Sequence, residues 1–441
     1  MAAATDAYTD PSDLAGFLKP VFGDLQWLLP EEALLQKTFP FSAANSVGKQ
    51  FEEPLQVRTS WGVSFLGSEG EVQALTESSP SKTVAAEVKP FLTVLNDKIS
   101  YTQFDRGNEG GKKAFMSTGA YVGKNLAMQL RRILEMSMVN GQQGIMEIET
   151  YSSAGTTSVV VTAASLRTGI LALLEGAKLD ILDAAGTTVI ANGTAGGSQG
   201  VEVLSVDIDT RTIVFKAAPT LDGGGAVTPV APQVLYLHGA NLGTSVFKEM
   251  VGLRKQIGAT TGTVFNINKA TYQAVRGNVV GSIGPISAGA LLKAGAKAIN
   301  RGMQGRMVVL LSPLSWGELN SRNIAQQVFD SSYKPSKAEE GTDAILVRGN
   351  GVVMECLSYS YMADGEFMML PKEGVKRIGS AYENSGPDGD TDISFMIPGS
   401  NLRFVDPVPG YNAVKVECRS DQAIYLQKPA WAVLGTGVTH T

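Results

Sequence analysis

Residues 55–66 and the polar stretch after them constrain the fold more than any other part of the chain. Leu55, Val57, Trp61, Val63 and Phe65 fall on one side of a period-two pattern, with Gln56, Arg58, Ser60 and Ser64 on the other. That alternation predicts a half-buried strand, and the Trp61, Val63, Phe65 stripe reads as packing. Residues 67–82, GSEGEVQALTESSPSK, are polar and rich in turn formers. Alternation resumes at Val84, Ala86 and Val88 and continues less cleanly at Ile99 and Tyr101. The pattern predicts a long hairpin whose polar tip carries Gly67, Glu69, Glu71, Glu77 and Lys82. An isolated two-stranded hairpin is marginal in water, so its stability has to come from a neighbour.

The strongest helical signal covers 112–139, where Phe115, Gly119, Val122, Leu126, Leu130 and Ile133 form a stripe at spacings of three and four. At 1.5 Å per residue this segment spans about 42 Å, long for a globular domain. Arg131 and Arg132 suit the C-terminal end of the helix dipole, and Asn140-Gly141 supplies a stop. Gly119 and Gly123 lie one turn apart and predict a bend or a close backbone approach. Ahead of the hairpin, residues 11–30 place Leu14, Phe17, Leu18, Phe22, Leu25 and Leu29 at helical spacing, interrupted by Pro20 and Pro30. This arm is too short to be a domain and needs a surface to pack against.

Residues 155–240 change character, with short β-like runs between turns and a short helix around 165–175. They predict a small β-barrel or sandwich inserted in the main fold. Beyond 245 the pattern mixes α and β, so the fold class is α+β. Residues 286–303 read as a helix with Lys293, Lys297 and Arg301 one turn apart. Such a stripe is either a solvated helix face or a face turned toward nucleic acid. MVVLL at 307–311 is a buried strand, and Ser312-Pro313 opens a helix running to about 329, with Ser as cap and Pro at the first position. Strands follow near 351–358, 366–371, 402–406, 413–418 and 423–427.

A chain of 441 residues exceeds what one core usually holds. Charged residues make up only 18%, as in subunits that bury much of their surface against copies of themselves, or in one large single domain. A net charge of −5 excludes a protein whose whole surface binds nucleic acid. No secretory signal and no long apolar run is visible, which predicts a cytosolic origin, no membrane partner and reduced thiols.

Motifs that carry chemistry are absent. The 119–125 segment, GAYVGKN, resembles a phosphate loop, but its glycines are one residue too close and Asn125 replaces the metal-reaching Ser or Thr. There is no GxSxG, HExxH or CxxC, and the chain has only Cys356, Cys418, His238 and His440. The cysteines read as apolar core residues and His238 as a surface or packed histidine. Asp388, Asp390 and Asp392 alternate as in part of a calcium loop, but Gly399 stands where the glutamate at loop position twelve belongs. The expectation is no catalytic residue, no metal and no cofactor, hence no enzyme.

The order of parts is distinctive: arm, long hairpin, long helix, β module, mixed region, returning strands. It resembles the major capsid proteins of tailed phages, whose fold is named for phage Hong Kong 97. Residues 247–280 (FKEMVGLRKQIGATTGTVFNINKATYQAVRGNVV) look like the segment leading into the outer domain of those coats, although Ala274-Val275 stands where many carry Trp. Residues 307–322 (MVVLLSPLSWGELNSR) look like the coat strand and helix, and 351–379 like a coat hairpin.

The resemblance implies a division of the chain. Residues 1–50 would form the N-terminal arm and 51–110 the extended E-loop hairpin. Residues 111–154 would hold the spine helix and the start of the peripheral (P) domain, and 155–240 an inserted β-rich domain. Residues 241–257 would belong to the P-domain and 258–405 to the axial (A) domain, with 406–441 returning to the P-domain.

It also implies self-assembly into pentamers and hexamers of an icosahedral shell around double-stranded DNA, with a portal and decoration proteins as further partners. The site would be the virion capsid, assembled in the host cytoplasm. No long charged helical segment precedes the arm, so a separate scaffolding protein is expected. Lys82 and Lys89 are the lysines that an E-loop crosslink would use, but no partner asparagine is identifiable. The competing readings are an encapsulin-type compartment shell, a carboxylate-based hydrolase on the β module, and a tail or baseplate protein.

Overall fold

The computed structural model describes residues 33–43, 51–66, 68, 74–100, 118–150, 157–191, 193, 200–220, 232–243, 246–258, 260–326, 345–349, 351–379, 393–396, 406–407 and 412–440. The apolar arm at 11–30, Phe115, the tip residues Gly67, Glu69 and Glu71, and the Asp388, Asp390, Asp392 run lie outside them.

The strand Ala413–Leu426 organises the first of two large sheets. Phe91–Ser100 pairs along one edge of it, and Val375–Gly379, Ser394–Met396 and Asp406–Pro407 pair along the other. The sequence pattern broke this strand into 413–418 and 423–427, because Arg419, Ser420 and Asp421 interrupt its apolar run. Ser420 is fully buried and accepts from Gln422 Nε2 at 2.8 Å, so internal hydrogen bonding allows the polar stretch to stay in the sheet.

The long helix, Thr118–Asn140, lies against this sheet. Val122, Leu126 and Leu130 are buried, Ile133 is partly buried against the same core, and Gly119 sits in the first turn. The helix stops where the sequence indicates. A Cβ at Gly141 would fall 2.2 Å from the carbonyl oxygen of Met250 and 2.5 Å from that of Ser137. Its glycine lets residues 250–252 cross the helix end, where the Gly252 amide donates to the Gly141 carbonyl at 3.0 Å.

Residues 146–237 supply a separate set of strands. Following hydrogen bonds, the order runs Gln233–Leu237, Met146–Thr150, Ser158–Val161, Thr212–Phe215, Val201–Asp207, Lys178–Asp183. Gln233–Leu237 pairs with Lys178–Asp183 as well, so the pairing returns on itself as a ring. Met146–Thr150 lies ahead of the 155–240 range read from the sequence, because it pairs with the ring's last strand. Alternate side chains from the ring (Ile148, Val161, Ile181, Val203, Ile213, Leu235) fill its interior and merge with the core under the long helix.

The second large sheet runs Asn278–Val280, Val433–Thr436, Glu366–Pro371, Gly305–Leu311, Val352–Ser358, Ile345–Gly349. Its central strand carries MVVLL with every side chain from Met307 to Leu311 buried, as expected of a strand covered on both faces. The helices Ala288–Ile299 and Pro313–Gln326 flank it. The Ser312 hydroxyl accepts from the Ser315 amide at 3.2 Å, the capping read from Ser312-Pro313.

Candidate assembly surfaces

The hairpin pairs Phe51–Arg58 with Lys82–Val88, in the register Phe51 to Val88 and Leu55 to Val84. The strand lies four residues before the expected 55–66, and beyond Arg58 the pairing thins, among the described residues, to a bridge between Trp61 and Ser79 and to the Ser64 hydroxyl, which accepts from the Thr76 amide at 2.8 Å. Phe91–Ser100, read as hairpin continuation, turns away into the Ala413–Leu426 sheet.

Where the hairpin joins the body, Ala86 and Val88 are buried with Phe51, Leu55 and Val84 against Ile267, Val275, Ala423 and Tyr425. Polar contacts reinforce this root. The Glu87 amide donates to the Phe265 carbonyl at 3.0 Å, and Asn266 Nδ2 donates to Glu87 Oε1 at 2.7 Å. Lys82 Nζ lies 5.4 Å from the centre of the Tyr272 ring.

Past the root the apolar stripe changes role. Trp61 is 67% exposed and Phe65 86%, with Val63 and Leu66 exposed beside them. This corrects the reading of these residues as packing: nothing among the described residues covers them. Period-two alternation shows that one face is apolar, not which surface buries it. Glu77 and Lys82 are exposed on the same arm.

A groove of about 540 Å³ opens where the long helix, the strand Phe91–Ser100 and the ring meet. Leu92, Val94, Ile133, Met136 and Leu173 line its apolar wall, and Leu92 and Val94 are exposed there. Its polar end holds His238 and Glu249. His238 Nδ1 lies 2.8 Å from Asp180 Oδ1, which makes it a partnered surface histidine. Glu249 Oε1 accepts from the Gln142 amide at 2.6 Å, and burial pushes its carboxyl up to about 7.

Two buried polar clusters join these parts, and no local pattern in the chain marks either. Glu366 Oε1 accepts from Arg254 at 2.6 Å, while Glu366 Oε2 lies 3.6 Å from the fully buried Arg167. Arg167 Nη1 also donates to the carbonyls of Ile145 and Ser165, at 2.5 and 3.0 Å. Burial, then the charge of Arg254, lowers the Arg167 guanidinium to about 10. This cluster fastens the ring to the second large sheet. The second lies under residues 34–43, where Glu135 accepts from the Gln36 amide and from the Tyr359 hydroxyl, each at 3.0 Å. Arg377 reaches the carbonyls of Gln36 and Phe39, and Phe41–Ala43 pairs with 377–379.

The three cations of the predicted stripe are all exposed. Lys293 and Lys297 sit on the helix Ala288–Ile299, but Arg301 lies past its end and turns back to donate to the Arg276 carbonyl at 2.5 Å. The helical reading overran because Gly302, at φ +88°, ends the turn.

Cys356 and Cys418 are buried and not joined by a disulfide, and burial raises the Cys356 thiol to about 12, far from a nucleophile's range. Among the described residues no cluster of His, Cys, Asp and Glu can hold a metal ion, and no helix is long and apolar enough to cross a membrane.

No family model and no curated protein matches the chain. Solved structures do. A chain of the cyanophage A-1(L) capsid is 11% identical, with a TM-score of 0.52 over 96% of this chain and 97% of that one. The capsid of a native GTA particle is 9% identical over 99% and 100%, with a TM-score of 0.48. The holo-SrpI encapsulin complex from Synechococcus elongatus is 6% identical over 99% and 98%, with a TM-score of 0.46. The first of these shows the fold, which this α+β chain shares with that cyanophage capsid chain.

Proposed function

We propose that this chain is the major capsid protein of a tailed phage, a subunit that assembles into pentamers and hexamers of an icosahedral head shell enclosing double-stranded DNA. The observation that carries the reading is the fold shared with a cyanophage capsid chain over 96% of this chain and 97% of that one. The hairpin supports it, since its apolar stripe finds no cover among the described residues of the chain. In this role the protein is structural and not an enzyme.

The division of the chain follows. Residues 51–88 act as the E-loop, and the helix Thr118–Asn140 is the spine of a P-domain completed by the Ala413–Leu426 sheet. The second large sheet is the A-domain, which closes the rings of five and six. The ring of strands at 146–237 is an added barrel module, locked to the A-domain by Arg167, Glu366 and Arg254. The exposed stripe at Trp61, Val63 and Phe65 lies over a neighbouring subunit, whose groove at Leu92, Val94 and Ile133 offers a matching apolar surface. The residues ahead of the hairpin clasp another copy. Each contact is weak, but closure of a shell links them, and linked contacts multiply through effective concentration. A separate scaffolding protein, a portal and decoration proteins are the further partners, and the end of the helix Ala288–Ile299, with Lys297 and the following Arg301, faces the DNA.

Electron microscopy of the expressed chain tests the reading. Closed shells, or pentameric and hexameric rings, are expected, and a chain that stays monomeric at high concentration would overturn it. Deleting 67–82 should leave a folded subunit that builds no stable shell. Normal shells from that deletion would refute the hairpin's role.

A further inference from the structure

A cavity of about 410 Å³ lies between the C-terminal end of the helix Ala288–Ile299 and the strand Asn278–Val280. That size falls within the roughly 300–1,000 Å³ of ligand pockets. Three cations line it, Arg276, Lys297 and Arg301, with Thr260, Asn278 and Asn300, and among the described residues no carboxylate does. Two turn toward its wall: Lys297 Nζ donates to the Val279 carbonyl at 3.1 Å, and Arg301 Nη1 to that of Arg276 at 2.5 Å. Arg276 Nη2 donates to the Lys269 carbonyl at 3.3 Å, and its buried Nε has no hydrogen-bond partner among the described residues. An ammonium carries three donors and a guanidinium five, so these carbonyls fix the groups in place and leave most of their N–H donors for something else.

The helix dipole accounts for part of this arrangement. Cations near a helix C-terminus gain about 0.3–1 kcal/mol each, which would suffice for Lys297 and Arg301. The helix end is also closed internally, since the amides of Asn300 and Arg301 donate to the carbonyls of Ala296 and Ala298. Arg276 does not belong to the helix. It comes from the segment before the strand Asn278–Val280, and among the described residues none of the three cations pairs with a carboxylate. Cations converging from two elements on an acid-free cavity are complementary to an anion.

We propose that Arg276, Lys297 and Arg301 form a binding site for the phosphodiester backbone of nucleic acid. The site holds phosphates and reads no bases. Among the described residues its lining has no aromatic ring for a base to stack on, and the nearby Trp431 is engaged, with Lys428 Nζ 3.8 Å from its ring centre and its indole N–H donating to the Arg301 carbonyl at 3.1 Å. A chain with a net charge of −5 repels DNA as a whole, so a local site of this kind is what would bring a strand to one face. The inference deepens the shell reading and rests on it for the statement that DNA is the polymer enclosed. Lys293, one helical turn earlier, does not line the cavity and is the natural control.

The test measures binding of a labelled, random-sequence DNA duplex to the full chain over a salt series. The variant pair Lys297→Glu and Arg301→Glu should weaken binding about tenfold or more and flatten the slope of log affinity against log salt by about 0.9 for each phosphate that no longer meets a cation. Lys293→Glu changes the charge by the same amount per residue outside the cavity, and should leave the slope unchanged. Lys297→Gln with Arg301→Gln repeats the loss without introducing repulsion, and thermal unfolding confirms that each variant is folded. An equal effect from Lys293→Glu, unchanged DNA binding in the double variants, or a site that holds heparin but not DNA would each overturn the proposal. Shells are scored on the same samples: shells with unaltered DNA binding sink the site alone, whereas wild-type chains that never assemble sink the shell reading.

Discussion

The backbone amide of Glu87 donates to the carbonyl of Phe265 at 3.0 Å, and so bonds the hairpin to a turn in which Phe265 and Asn266 both have left-handed backbones, at φ +51° and +62°. Two such residues make the turn type whose twist suits a two-residue hairpin. Asn tolerates that conformation. For a residue as bulky as Phe it costs roughly 1–2 kcal/mol. The ring offsets the strain by packing edge-on against Tyr425, at 5.3 Å between centres and 77° between planes.

Phe265→Ala should therefore keep the strain and lose the packing, destabilising the chain by about 2–3 kcal/mol. Phe265→Gly loses the same ring but relieves the backbone, so it should be milder than Ala by about 1 kcal/mol. Denaturant titration gives the ranking, and hydrogen exchange across 82–88 should quicken in both variants. A glycine variant less stable than the alanine one would show that the turn is not strained.

Glu366 faces two guanidinium groups, one of them fully buried. Glu366→Gln should cost about 3–5 kcal/mol, since it leaves Arg167 buried beside Arg254 without the charge that balances them. Because the cluster joins the ring to the second large sheet, unfolding of this variant should split into two transitions. A single transition at the wild-type midpoint would mean that the cluster does not couple the two parts.

The parts of the fold that the sequence made legible are those whose signal is local. MVVLL is apolar at every position because both faces of its strand are covered, and Ser312-Pro313 and Asn140-Gly141 mark helix ends through the chemistry of caps and stops. What stayed hidden depends on partners distant in sequence. Glu135 sits among apolar helix positions, and only the fold brings Tyr359 and Gln36 to its oxygens. Arg276 escaped for the same reason: helical spacing groups Lys293 with Lys297, whereas the cavity groups Lys297 with a residue from another element. The Trp61, Val63, Phe65 stripe was visible but ambiguous, because alternation looks the same whether the chain or a second copy covers it.

Glu249 supplies a pH dependence with a definite sign. Its carboxyl titrates near 4.5 when unfolded and is pushed up to about 7 by burial in the fold, against the opposing effects of the Gln142 amide and Lys255. Between those values the native state holds the proton that the unfolded state has lost, so stability falls as pH rises across the window. Allowing for its partial exposure to solvent, the loss amounts to about 2 kcal/mol. Glu249→Gln should match the wild type at the acid end of the window and exceed it by about that amount above the upper end. Stability curves for the two proteins that stay parallel from acid to neutral pH would contradict this.

Trp61 and Phe65 separate folding from assembly most sharply. Both are largely exposed in the single chain, so Trp61→Ser with Phe65→Ser should leave the unfolding midpoint of the dissociated subunit within about 0.5 kcal/mol of wild type. In a shell the same side chains would be buried at every copy of one interface, where truncating an aromatic anchor typically costs about 2 kcal/mol or more. The loss recurs at each subunit, so the concentration at which shells appear should rise by well over tenfold for a change that the isolated subunit hardly registers. Light scattering against protein concentration, with microscopy of the plateau, measures that threshold. Shells forming at the wild-type concentration would show that the stripe meets solvent in the assembly as it does in the chain, and the hairpin would then have to engage its neighbour through its polar tip.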